Sequence, residues 1–139
     1  MTYQPPPPPP HGYSGGAPTS NEERTWAMAA HIGALVTAWF AFGLIAPLAV
    51  LLIRGDSSAF VRRHAVESLN FQISLLIYSL VGTVIGFVLA IVTLGIGLLI
   101  IIPIVVGIAL IALIAVIKAG MKANRGEDFR YPLTIRIVS

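Results

Sequence analysis

From Trp26 to Ile53, and again from Ser68 to Ile117, the chain carries no Asp, Glu, Lys or Arg. Within these stretches apolar residues fill every face of a helix, the pattern of a segment whose solvent is lipid. The first stretch is about 42 Å long as a helix, against a hydrocarbon layer of about 30 Å. That is too long for one upright span and too short for two. The pattern therefore predicts one long first helix from about Asn21 to Ile53, bent near Gly43 and Pro47. The second stretch is divided once, at Thr93–Gly97 (TLGIG), into lengths that can each cross. It predicts a second span from near Ala65 to about Val92 and a third from Leu98 to Ile117, with Pro103 near its start. The expected fold is an all-α membrane protein with three transmembrane helices.

The flanking residues supply stop and start signals. Ser20 and Glu23 read as a capping box for the first helix, and Gly55 can end it. Asp56, Ser57 or Ser58 can cap the next. Before Ser20 the chain holds six consecutive prolines, Pro5 to Pro10, and a Gly-Ser stretch, so residues 1–20 are expected to be a disordered tail. Residues 21–124 form the expected helical domain and 125–139 a cytoplasmic tail. The end of that tail, LTIRIV, alternates weakly enough to suit a short strand or an interface-hugging segment. Ala29 with Gly33, and Ala30 with Ala34 and Ala38, give the first helix faces for close approach. Trp26 and Phe40 suit the membrane interface, whereas Trp39 is expected to pack between helices.

Composition agrees with the pattern. Hydrophobic residues make up 56% and charged residues 11%, against roughly 45–50% and 25% in ordinary globular chains. The net charge of +3 serves as a topology signal. With three spans, every Lys and Arg except Arg24 falls on one side, in the 54–63 loop and the C-terminal tail. The positive-inside rule then places that side in the cytoplasm and the N-terminus outside the cell membrane; were Trp26 to Ile53 a re-entrant hairpin instead of one bent span, the N-terminus would also be cytoplasmic. No compact basic face with interleaved aromatics is present, so nucleic acid is not an expected partner. With no cysteine, thiol chemistry is excluded.

Candidate chemistry gathers where the basic loop runs into the second span. On a helix Arg63, Glu67, Asn70 and Ser74 share one stripe, with His64, Ser68 and Gln72 beside it. An acid at this depth needs a partner, and Arg63, four residues earlier, is the expected one, with Arg130 or Lys118 from the other end of the chain as alternatives. Arg63, His64, Glu67, Asn70 and Gln72 are thus the candidate cluster. It can fix the helix's depth, hold an anionic lipid headgroup through Arg62 and Arg63 with the C-terminal basic residues, or titrate through His64 and Glu67. His31 is expected as a neutral imidazole bonded to a neighbouring helix, with a place in a proton relay as the sharper alternative. Gly82 and Gly86 form a G-x-x-x-G pair for packing, within the chain or between copies. Three ligands do not converge for a metal, no catalytic motif is present, and no cofactor is implied.

The strings FVRRHAVESLNFQIS (60–74) and GEDFRYPL (126–133) resemble a family of small bacterial membrane proteins of unknown function, placed with the Tic-twenty-like proteins. Trp26, His31, Pro47-Leu48, His64, Glu67, Asn70, Phe71, Gln72 and Tyr131-Pro132 carry the resemblance. It implies a transport or protein-translocation component by analogy. From the residues themselves, the expectation is a non-enzymatic scaffold that binds another membrane protein or its own copy. Transport would need a polar lining, for which Thr37, Ser74, Ser79 and Thr83 are the available residues.

Overall fold

The computed structural model describes residues 19–41 and 43–139; the expected disordered tail lies, but for its last two residues, outside them. The chain forms α1 (Asn21–Ala41), α2 (Ile45–Arg54), α3 (Ala59–Val92) and α4 (Leu98–Asn124). No strand occurs among the described residues, LTIRIV included. Two helices, α3 and α4, are long and apolar enough to cross a membrane. Their apolar windows are almost wholly exposed, the opposite of a soluble protein's core helix, and the protein is membrane-associated.

The first apolar stretch is not one bent span. The chain reverses between the end of α1 and the start of α2, so the two form an antiparallel hairpin whose open ends meet. Arg54 pairs with Glu22 and lies over the Trp26 ring, 5.4 Å from its centroid. Glu23 ties the same end to α3. Its carboxylate accepts the Ser20 N–H at 2.8 Å, completing the capping box, and the Ser58 hydroxyl at 2.6 Å. Ser58 in turn caps α3 by accepting the Val61 N–H. The N-terminal end of α1, the 54–58 loop and the C-terminal end of α4 therefore lie at one end of the molecule. Three spans with the N-terminus opposite the basic loop do not describe this arrangement.

Gly43 permits the reversal. Its φ of +75° is strained for an L side chain, and a Cβ there would come within 2.7 Å of the Ala34 carbonyl. Small residues then let α1 be surrounded. A Cβ on Gly33 would fall 2.7 Å from that of Ala46 in α2, and one on Gly120 would strike Ile32. Ala27 packs with Phe60 and Ala123, and Ala30 with Val50, Val61 and Ala65. Thus α1 runs parallel to α3 and antiparallel to α4, wedged between their proximal halves. Because the hairpin turns so early, Trp39 is at its tip and 92% exposed, not packed between helices.

The turn at 93–97 falls where the glycines place it. Thr93 accepts the Gly97 N–H at 2.9 Å and donates to the Leu89 carbonyl at 2.7 Å. Beyond the reach of α1, α3 from about Leu76 and α4 up to about Ile114 form a two-helix limb with exposed apolar residues on all sides.

Candidate functional site

Residues 125–139 form an irregular strap that runs up α3 and doubles back at Leu133, whose φ is +57°. An extended segment cannot pair its own backbone, and next to an apolar helix it has little water to bond instead. Here the α3 side chains supply the partners. Glu67 accepts the Tyr131 N–H at 2.7 Å. Asn70 accepts the N–H groups of Ile137 (2.9 Å) and Val138 (2.8 Å) and donates to the Val138 carbonyl (2.8 Å). Ser74 accepts the Ile135 N–H at 2.8 Å and donates to the Asn70 carbonyl, and Tyr78 donates to the Leu133 carbonyl at 2.8 Å. The polar stripe of α3 is a ladder on which the strap's backbone is hung.

Packing completes the attachment. The Tyr131 ring stacks on Phe71 with centroids 3.9 Å apart and lies in a cluster with Val116 and Ala119. Burial pushes its phenol above the usual tyrosine range, and the nearby Glu67 carboxylate pushes the same way. Arg63 does not pair with Glu67. It bonds Asp128 at 3.1 Å, while Arg136 stands 3.6 Å from Glu67. The strap carries the counter-charge for each, which no spacing along α3 could indicate. Arg125, at the strap's base, holds the Glu127 carboxyl below its ordinary range.

A second arrangement adjoins the ladder. The parallel course of α1 and α3 brings His31 and His64, both fully buried, to 2.8 Å between Nε2 and Nδ1. The His31 Nδ1 lies 2.9 Å from the Tyr131 hydroxyl. One consistent set of protons runs from the phenol to His31 and from His31 to His64. It leaves the His64 Nε2–H, which has no hydrogen-bond partner, directed to the Asp128 carboxylate at 3.9 Å. The chain has an exposed carboxylate at one end and a buried phenol at the other, with no onward partner among the described residues. It joins α1, α3 and the strap; it does not cross the molecule.

The candidate cluster is therefore divided. Arg63, Glu67 and Asn70 face the strap and His64 faces His31, whereas Gln72 is buried against the hairpin turn at Gly43. The residues available for a polar lining do not converge. Thr37 donates to the Gly33 carbonyl, Ser79 to the Leu76 carbonyl, Ser74 belongs to the ladder, and Thr83 is exposed on the limb. A Cβ on Gly82 would meet nothing within 4 Å, and one on Gly86 only Ile101 at 3.8 Å, so the fold leaves this face unused. Among the described residues no three His, Asp or Glu side chains converge as a metal site. Tyr131, Asp128 and Arg136 were not indicated by spacing, because their roles arise from contacts distant in sequence.

Neither a curated protein nor a solved structure matches the chain. Its family does not correspond to the Tic-twenty-like resemblance of the 60–74 and 126–133 strings, which is corrected by a match covering most of the chain. Residues 22–138 fit the model of the magnetosome magnetite crystal formation proteins, MamF/MmsF, and the chain belongs to that family.

Proposed function

We propose that the protein is a non-enzymatic scaffold of the magnetosome membrane that supports magnetite crystal formation by organising its lipid and protein surroundings. The observation that carries this reading is where the buried polar side chains end. Glu67, Asn70 and Ser74 bind the strap's backbone, and Ser68 donates to the Ala30 carbonyl at 2.8 Å. Chemistry at a site needs groups left free to act on another molecule, and these are engaged in holding the fold. The family supports the setting, an organelle membrane instead of the cell membrane.

In this reading α3 and α4 cross the bilayer and the charged end lies at the headgroups. From Leu98 to Ile117 the charge-free part of α4 is about 30 Å long, the thickness of the hydrocarbon layer. An open groove of about 1010 Å³ between α3 and the strap presents Arg62, Arg63, Arg130 and Arg136 against Glu67 and Asp128. That balance suits anionic headgroups. On the limb, Gly82 and Gly86 suit the helix of another membrane protein or a second copy. The basic end faces the cytoplasm.

The test compares crystal formation with the amount of protein in the membrane. Glu67→Ala and His64→Gln are expected to reduce crystal size or number only in proportion to the protein each loses from the membrane. A variant of either residue that accumulates normally yet abolishes crystal formation would show a chemical role and overturn the scaffold reading.

A further inference from the structure

We infer that the protein is a curvature-selective wedge, favouring membranes that are convex on the side of its charged end. The inference rests on the reading that the limb crosses the bilayer and that Lys118 marks the headgroup level. The cross-section of the molecule is uneven along its length. At the level of Gly120, α1 and the proximal parts of α3 and α4 are packed together, flanked by α2 and the strap. Among the described residues, only the two helices of the limb continue beyond the hairpin and the strap.

Two apolar tips end at similar depths. In the antiparallel pairing of α1 with α4, Ile32 meets Gly120, which sets Lys118 near Ala34. Phe40 then lies about 9 Å deeper along the helix axis. On the other flank Phe71 packs with Val116 and Ala119, which sets it level with Lys118, and Tyr78, where the strap reverses, is about 10 Å further on. Since one leaflet's hydrocarbon is about 15 Å thick, half of the layer, both tips stop inside the near leaflet.

Their surfaces fit that environment. At the two tips Trp39, Phe40 and Leu133 are 92%, 79% and 87% exposed. Ile45, Leu48, Leu52 and Ile53 continue the apolar surface along α2 towards the charged end. The exposed apolar residues of the limb begin with Ile77, where the strap reverses beside Tyr78, so acyl chains are the occupant this surface requires. The strap can leave water because Asn70, Ser74 and Tyr78 satisfy its backbone. Added area in the near leaflet alone makes the molecule wider at the charged end. A bilayer relaxes around such a shape by curving away from the opposite leaflet.

The experiment uses the full chain in vesicles. Trp26→Phe leaves Trp39 as the single tryptophan, and a lipid carrying a quencher high on its acyl chain reads its depth. Ser57→Cys, in a chain without cysteine, reads orientation through an impermeant maleimide. Trp39 is expected to be quenched, and the head-out population to rise steadily as vesicle diameter falls. Trp39→Ser, Phe40→Ser and Leu133→Ser together are expected to abolish that rise, because the bulk of the head is kept while the tips no longer enter the leaflet. A bias that persists unchanged in this variant, or a head-out fraction of the full chain that does not vary with diameter, overturns the wedge. Either result leaves the spanning limb standing. A Trp39 shielded from the quencher, as under a second copy, overturns both the depth assignment and the wedge; should the triple variant fail to insert, the full chain's dependence on diameter decides alone.

Discussion

Glu67 is 8% exposed and faces a backbone N–H at 2.7 Å, with Arg136 as a more distant partner. A carboxylate in this setting is stabilised mainly by the hydrogen bond it accepts and the cation behind it. The need for a partner is legible in the sequence, but helical spacing puts the nearest cation, Arg63, one turn away, and spacing does not show the strap's return. The stripe of Glu67, Asn70 and Ser74 was legible, and its recipient was not. Tyr131 is where the strap is most firmly held, and its raised pKa gives a signed prediction. Since the folded phenol ionises only above its ordinary range, the stabilisation it contributes is fully present below about pH 10, the unfolded value. It is lost as pH rises further, because the unfolded chain then releases a proton that the folded one retains. Tyr131→Phe removes the bond to His31 and is expected to cost about 1–3 kcal/mol near neutrality. The gap between the two proteins' melting temperatures, followed by circular dichroism in detergent, should stay constant from neutrality to pH 9 and narrow above pH 10.

Among the elements, the ends of α3 and α4 at the 93–97 turn followed directly from TLGIG, since glycine punctuation in a long apolar run is a local signal. The reversal between α1 and α2 was legible only in part. Gly43 marked the place, but a bend and a reversal differ in what the two arms touch afterwards, and those contacts lie in α3 and α4. The close approach of Gly33 to Ala46 and of Gly120 to Ile32 shows how the hairpin is packed once formed. Its dependence on Gly43 is correspondingly sharp. Gly43→Ala must adopt a φ of +75° with its Cβ 2.7 Å from the Ala34 carbonyl. The left-handed conformation alone costs about 1–2 kcal/mol, and the contact adds to it. The expected result is a lower melting temperature together with faster hydrogen exchange in α1 and α2, while exchange in the limb stays unchanged. Equal acceleration in all four helices would mean that the hairpin and limb unfold as one unit.

At the scale of the molecule, the hairpin changes what the charges mean. With α1 and α2 folded back, Arg24 joins the other basic residues, and all nine Lys and Arg stand at one end. A single long span would have left Arg24 as the exception. The returning hairpin removes it and gathers every basic side chain at one end, the distribution the positive-inside rule favours. If α3 and α4 are the two helices that cross, as proposed above, the number of crossings is even and both ends of the described chain share a side. This is accessible to labelling because the chain has no cysteine of its own. Asn21→Cys, Ser57→Cys and Asn124→Cys lie on exposed positions at the charged end, and Ile96→Cys lies in the turn of the limb. An impermeant maleimide applied to intact vesicles of one orientation should label the first three alike and spare the fourth, and after permeabilisation all four should react. Labelling of Asn21→Cys together with Ile96→Cys would place α1 across the membrane. The contacts of Glu22 with Arg54 and of His31 with His64 could not then form, and the ladder beneath the strap would lose the helix against which it is packed.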